Sequence, residues 1–271
     1  LEAACAEDIQ FDVTKSTEDN FGVAHFTGRY AHIRPLLDYT WHRKYHPSRV
    51  EVQDGLIAKF SKPPGDDLQP LLPWVVFTAG AMGVGKGYVR KWMSEHGYFP
   101  VERFVTVDPD AIRESLPEWP QYVEANPETA GVMTQKEAGC LAEIIGFVAL
   151  HDRRNVIFDG SLRNLKFYKG YFHRLRQNFP GIRIMILHVV ADTEVILKRA
   201  EERGKKTGRV VPREMLIDSI ESTPKSVQAL AHFADFVCRV QNNPGKDPVV
   251  LREPGAPHPP KSVEITWDLF K

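Results

Sequence analysis

The sequence predicts an α/β fold, a parallel sheet flanked by helices, with a helical extension at the N terminus. Three observations carry that expectation. Short runs of consecutive apolar residues recur between longer stretches of helical spacing, and strands apolar on both faces belong to parallel sheets covered by helices. One such run leads directly into a glycine-rich loop that opens a helix, as ligand-binding α/β sheets do. The first 62 residues, by contrast, show helical spacing without strand-like runs.

Taken in order, Ile33 to Trp41 has helical spacing, and Ser48 followed by Glu51 fits a capping box opening a helix through Leu56, Ile57 and Phe60. Residues 1–62 therefore read as a helical extension packed on the core. His25, His32, His42 and His46 lie in it without metal-ligand spacing and read as ordinary histidines. Pro63, Pro64, Pro70 and Pro73 around Gly65-Asp66-Asp67 make residues 63–73 a linker, and 74–271 the α/β domain. Trp74 to Ala79 is its first strand, and Tyr88 to His96 a helix stopped by Gly97. Phe104 to Val107 is a second strand, ended by Asp108-Pro109-Asp110. Asn126-Pro127 fits an N-cap with proline at the first helical position, and the apolar spacing continues to about Leu150. Val156 to Phe158 and Ile182 to Val190 are the third and fourth strands. Helical patterns follow at Thr193 to Arg203 and Pro212 to Phe233, then a fifth strand at Phe236 to Val240. An irregular proline-rich segment, Pro244 to Pro260, precedes a last strand-like piece, Val263 to Trp267.

Composition narrows the function classes. The 271 residues carry 35 Lys+Arg and 35 Asp+Glu, and this zero balance argues against a broad nucleic-acid or anionic-membrane surface. No run approaches the roughly 18 apolar residues of a membrane span. The sequence starts at Leu1 with no basic-then-apolar leader, so it reads as trimmed, with room for a targeting segment ahead of it. Cys5, Cys140 and Cys238 are too scattered for a disulfide framework or zinc site, which predicts a reducing, cytoplasmic setting.

The stretch Gly80-Ala81-Met82-Gly83-Val84-Gly85-Lys86-Gly87 matches G-x-x-x-x-G-K between a strand and a helix, the context that makes a P-loop. Its glycines let successive N–H groups turn inward as an anion nest at a helix N-terminus, and Lys86 reaches nucleotide phosphates. The dinucleotide pattern G-x-G-x-x-G fails at Tyr88. One position departs from the P-loop pattern: Gly87 stands where a Ser or Thr hydroxyl normally holds Mg²⁺. Asp159 ends the third strand as a Walker B carboxylate would, and is the expected metal residue. Asp108 and Asp110 follow the second strand. One of them can act as a base toward an attacking hydroxyl, or cap the next short helix, Ala111 to Ser115. The segment from Lys198 to Arg209 reads as a helix running into a mobile basic loop able to close over phosphate, or as a solvated helix end.

Together these elements resemble the zeta-toxin family of P-loop kinases over about residues 74–242. The matching pieces are the G-x-x-x-x-G-K loop, Val107-Asp108-Pro109-Asp110-Ala111-Ile112-Arg113 with Leu116-Pro117, Asn155 to Arg163, and Arg203 with Thr207-Gly208-Arg209-Val210-Val211-Pro212. The resemblance implies a P-loop kinase-like sheet, ATP and Mg²⁺ as cofactors, Lys86 on the ATP phosphates, Asp110 as general base, and Arg203 and Arg209 as the phosphate clamp. It also places Asp159 near the metal, and Asp108, Ser161, Arg163 and Glu143 toward the acceptor, with Glu137 competing for the last role. Family members are best known for phosphorylating the sugar of UDP-N-acetylglucosamine.

The leading reading is an ATP-dependent kinase that transfers the γ-phosphate to a hydroxyl of a small molecule, a UDP-sugar or another nucleotide-like acceptor. The alternatives are a degenerate P-loop module that binds nucleotide without turnover, which Gly87 favours, and a polynucleotide kinase, which the neutral charge disfavours. An inhibitor of antitoxin type is left open as a partner. The zero net charge hides a separation: residues 108–128 carry six acids against one base, and residues 198–213 seven bases against two acids. That leaves room for a cleft with acids on one side and a phosphate clamp on the other.

Overall fold

A computed structural model describes residues 11–23, 26–65, 69–207 and 211–251. In chain order they form α1 (Thr17–Phe21), β1 (Gly22–Val23), β2 (Lys44–Tyr45), α2 (Pro47–Phe60), β3 (Trp74–Ala79), α3 (Lys86–Glu95), β4 (Phe104–Val107) and α4 (Pro109–Glu114). Then come α5 (Trp119–Ala125), α6 (Ala130–Met133), α7 (Gln135–His151), β5 (Asn155–Phe158), α8 (Leu165–Asn178) and β6 (Arg183–Val190). The last are α9 (Thr193–Thr207), α10 (Arg213–Leu230), β7 (Phe236–Gln241) and β8 (Val249–Leu251). The chain divides into two units, Leu1–Ser61 with Val107–Val148, and Lys62–Thr106 with Ala149–Lys271.

The second unit is built on a six-stranded sheet of order β4-β5-β3-β6-β7-β8. β3 pairs in parallel with β5 and β6, β6 in parallel with β7, and only the terminal β7–β8 pair is antiparallel. Every residue of β3 is buried, the outcome expected of an apolar run with no polar alternation. Alternate residues still point to opposite faces. Trp74 and Val76 join a core with Val89 and Met93 of α3 and Ile196 of α9. Phe77 points the other way, stacks on Phe158 with centroids 4.9 Å apart, and meets Tyr171 and Phe172 of α8. Helices therefore cover both faces, as the apolar runs predict.

The first unit is held together by charges as well as apolar packing. Arg49 of α2 donates from Nε and Nη2 to the two carboxylate oxygens of Glu137 on α7, at 2.7 and 2.9 Å, and from Nη1 to Glu118 at 2.8 Å. Gln53, one turn on, donates to the same Glu137, and Arg34 bridges Gln53 and Asp54. Arg49 and Glu137 are almost wholly buried. Burial works against the Arg49 charge, but the hydrogen bonds and attraction of Glu137 outweigh it and hold the group above the ordinary arginine value. Nearby, burial pushes the Cys140 thiol well above its usual range, so it is no candidate nucleophile.

Several local expectations are corrected. The helix over Ile33 to Trp41 is a 3₁₀ turn, Arg34–Leu36, because Leu37 is extended and the Asp38 carboxylate accepts from Thr40 N–H, an arrangement that competes with helix. Helix α2 starts at Pro47 with His46 as N-cap, so the Ser48–Glu51 pair lies inside it rather than at its cap. Asn126 ends α5, and its side chain accepts from Glu128 N–H, so the long helix begins only at Gln135. Helix α8, capped by Asn164 accepting from Phe167 N–H, and the short strands β1, β2 and β8 had no assignment from sequence. The piece at 263–267 and most of the proline-rich tail lie outside the described residues.

The Arg49 network predicts a large stability effect. Arg49→Leu is expected to cost about 3–5 kcal/mol in urea unfolding, because the Glu137 charge stays buried without its cationic partner, with only the Gln53 amide left on it. Replacing both residues, Arg49→Leu with Glu137→Leu, should restore most of the loss. A single variant within about 0.5 kcal/mol of wild type, the scatter of neutral surface changes, overturns this account.

Candidate active site

The glycine-rich loop follows β3, which lies between β5 and β6 in the sheet. The chain goes from β3 toward the β4 side and later returns to the β6 side, so the loop sits at the switch in strand order where α/β sheets bind ligands. Its backbone explains the glycines. Gly83 has φ +88°, and a Cβ there falls 2.6 Å from the carbonyl oxygen of Ile196 on α9. Gly85, left-handed at φ +90°, is the N-cap of α3, and a Cβ there meets the Asn242 side-chain amide at 2.3 Å. Only glycine satisfies both demands. Lys86 is the first residue of α3, and its ammonium lies across the loop, donating to the Gly80 carbonyl at 3.0 Å. The first-turn N–H groups of a helix have no intrahelical acceptor and carry its positive dipole end. Loop, helix end and ammonium together gather positive charge at the start of α3.

The loop is braced from neighbouring elements of its own unit. The Val84 carbonyl accepts from the Asn242 side chain at 2.8 Å, and Arg199 of α9 donates to the Asn242 carbonyl at 3.0 Å. On the other side, Gly80 N–H donates to the Ser161 carbonyl at 3.2 Å. That carbonyl also accepts from Thr223 of α10, and Arg163 O accepts from Ser226. Between them Leu162 is fully buried in the left-handed region, φ +57°, an uncommon conformation for a residue with a Cβ. The segment after β5 is thus pinned to both the phosphate loop and α10.

Asp159 directly follows β5, and its carboxylate is engaged on both oxygens. Oδ1 lies 3.0 Å from the Thr78 hydroxyl, and Oδ2 accepts from Arg90 Nη2 at 2.9 Å. Arg90 stands one helical turn beyond Lys86. The hydroxyl-bearing residue that usually follows the lysine is Gly87, where an added Cβ meets nothing within 4 Å. Packing therefore does not enforce glycine there. A P-loop Mg²⁺ takes that hydroxyl and a strand-end carboxylate. Here the first donor is absent and the second is ion-paired, so these residues do not fit a divalent ion held by the protein. Among the described residues no group of three or more His, Cys, Asp or Glu side chains is arranged to hold a metal.

The other expected site residues are placed as follows. Asp108 is the N-cap of α4, its side chain accepting from Asp110 N–H at 2.9 Å. Asp110 is half-buried, with Oδ1 3.3 Å from Arg113 Nη1. Glu143 is buried on α7 and lies 2.7 Å from His42 Nε2, and Glu137 is the partner of Arg49. These four belong to the first unit, whereas the loop, Asp159, Ser161, Arg163 and Arg203 belong to the second. Arg163 is 3.2 Å from Asp218, and Arg203 is exposed on α9. That helix continues through Gly204 to Thr207, so the basic segment is helical where a loop was expected, and Arg209 lies outside the described residues. Thr78, Arg90, Arg199 and Asn242 were not singled out from sequence. A threonine near the end of an apolar strand and an arginine four residues after the P-loop lysine are signals for the first two.

A family model described as zeta toxin matches residues 65–250, more than half of the chain. The chain belongs to the zeta-toxin family. The match spans the sheet-bearing elements from β3 into β8, whereas α1, β1, β2 and α2 lie ahead of it. A structure from the PezAT chromosomal toxin–antitoxin system of Streptococcus pneumoniae superposes with a TM-score of 0.60 at 14% identity, over 76% of this chain and 81% of that one. The AvrRxo1-ORF1:-ORF2 complex with ATP gives 0.58 at 12% identity, over 88% of this chain and 76% of that one. These likenesses show a common P-loop kinase-like fold, six mostly parallel strands flanked by helices. No curated protein sequence matches the chain.

The brace on the loop gives a test of its own. Asn242→Ala removes the donor to a buried Val84 carbonyl and is expected to cost about 1–3 kcal/mol in denaturant unfolding. An unchanged midpoint overturns the bracing role.

Proposed function

We propose that the chain is an ATP-dependent kinase that transfers the γ-phosphate to a hydroxyl of a small molecule, with a UDP-sugar or another nucleotide-like compound as acceptor class. The observation that carries the reading is the strand–loop–helix with Lys86 at the head of α3, in a chain of the zeta-toxin family. ATP in the AvrRxo1-ORF1:-ORF2 complex, a protein of similar fold, supports the choice of nucleotide.

In this reading Lys86 and the loop N–H groups hold the β- and γ-phosphates, and their fixed positive charge favours the transition state, whose charge spreads over the equatorial oxygens. Asp110 takes the proton of the acceptor hydroxyl. The bond between the γ-phosphorus and the bridging oxygen breaks, a bond to the acceptor oxygen forms, and ADP leaves. Arg203 and Arg209 close on the transferring group. Asp108 supports Asp110 by capping α4, while Ser161 and Arg163 orient the acceptor. Glu143 acts from its pair with His42. A divalent ion, when bound, shields the phosphate charge, and none of these assignments depends on it. A protein inhibitor of antitoxin type and a cytoplasmic setting complete the proposal. Among the described residues no helix is long and apolar enough to cross a membrane.

A second reading, nucleotide binding without turnover, is favoured by one feature, the pairing of Asp159 with Arg90 beside Gly87. Incubation with ATP and a metabolite pool, followed by mass spectrometry for phosphorylated products, separates the two. The kinase reading expects transfer by wild type. It expects Asp110→Asn to keep nucleotide affinity and to lose about 10²–10⁴-fold in rate, the usual contribution of a positioned base. It expects Lys86→Ala to lose nucleotide affinity. Nucleotide binding without any transferred phosphate supports the second reading, and variants that match wild-type turnover overturn the residue assignments.

A further inference from the structure

The pair formed by Arg90 and Asp159 carries an inference that rests on the phosphate-loop reading and goes beyond it. Both side chains are about five-sixths buried, at 15% and 16% exposure, and their contact is 2.9 Å. An opposite charge so placed is screened little by water and persists at physiological salt. Arg90 Nε and Nη1 are also buried and have no hydrogen-bond partner, so removing the carboxylate strands the guanidinium altogether. The pair is therefore hard to open. Thr78 holds the second carboxylate oxygen and limits how far Asp159 can turn toward any other ligand.

The geometry points to Arg90 as a built-in cation: we propose that its guanidinium supplies at Asp159 the positive charge that a divalent ion supplies in other phosphate loops. Two independent features converge on it. The residue after the lysine has no hydroxyl to offer a metal, although the space around Gly87 accommodates one. The strand-end carboxylate, the remaining metal donor, is already neutralised from within the helix that the loop opens. Arg90 lies four residues after Lys86, on the same side of α3 one turn further on, so a single helix presents one cation to phosphate and a second to the carboxylate. Without Arg90, the Asp159 charge would stand unneutralised beside an anion-binding loop and oppose the nucleotide. Arg90 is thus a positioning residue. It fixes Asp159, and it makes the loop's affinity for nucleotide independent of a protein-held divalent ion.

Calorimetric titration of the full chain with ATP, once in EDTA and once in excess Mg²⁺, tests the proposal without relying on turnover. Wild type is expected to bind in both conditions with affinities closer than about tenfold, within the lower range of site–site coupling. Arg90→Ala is expected to lose about tenfold or more in EDTA and to recover in Mg²⁺, which then reaches the vacated carboxylate. Arg90→Lys should behave as wild type, since it restores the charge. Gly87→Ser with Arg90→Ala should show the strongest Mg²⁺ dependence and should also bind Mn²⁺ in the presence of ADP, as read by electron paramagnetic resonance. Wild-type binding that requires Mg²⁺, or Arg90→Ala binding indifferent to it, overturns the proposal while leaving the phosphate loop intact. No ATP binding in either condition overturns the phosphate-loop reading, and this one with it. The wild-type comparison stands whether or not the variants fold.

Discussion

Complete burial of β3 is the constraint from which the rest of the sheet-bearing unit follows. A strand with no solvent-facing residue needs strands on both edges and helices on both faces, and β5, β6, α3, α8 and α9 supply them. Once those neighbours are in place, the backbone leaving Ala79 has only a narrow passage between the carbonyls of β6 and α9. The loop that threads it has to be glycine-rich, and it has to end in a helix whose first turn faces outward. The glycines of the loop are thus demanded by packing as well as by any ligand.

Rigidity of that loop comes from residues far away in sequence. Asn242 is 158 positions from Val84, whose carbonyl it holds, and Thr223 is 62 positions from the Ser161 carbonyl. The loop is braced at both ends by hydrogen bonds, and the one to the buried Val84 carbonyl is costly to leave unmade. Such bracing keeps the donors in place before a ligand arrives, which is the condition under which fixed dipoles stabilise developing charge without reorganising.

The legible parts of the molecule are those whose information is local. Five strands are legible because each is a short, mainly apolar run, interrupted at most by one or two polar residues such as Thr106 or Arg239, and the phosphate loop because its glycines, lysine and flanking elements occupy one short stretch. What stayed hidden depends on pairing across the chain. Arg49 and Glu137 are 88 positions apart; Arg49 reads alone as ordinary helix-surface charge, and Glu137 reads as a rival of Glu143 for an acceptor contact rather than as the partner of an arginine. His42 carries no sign of Glu143, 101 positions on. The long helix over 126–150 was misread because Asn-Pro fits a helix start as well as it fits the end of the preceding one. Arg90 and Thr78 were within reach of local reasoning, but an arginine on a helix is more often a solvated charge than the partner of a strand-end carboxylate.

The partnerships inside the first unit also bear on where this protein can be cut. The family match starts at residue 65, after Arg34, His42, Arg49 and Gln53, which pair directly or in relay with Glu118, Glu137 and Glu143. A fragment reduced to the matched region would keep the three carboxylates and lose every one of those partners. Acids that the intact chain buries would then have to be hydrated, and the helices bearing them would lose their reason to pack. For this chain, the edge of family similarity cuts through a buried network of charges and amides.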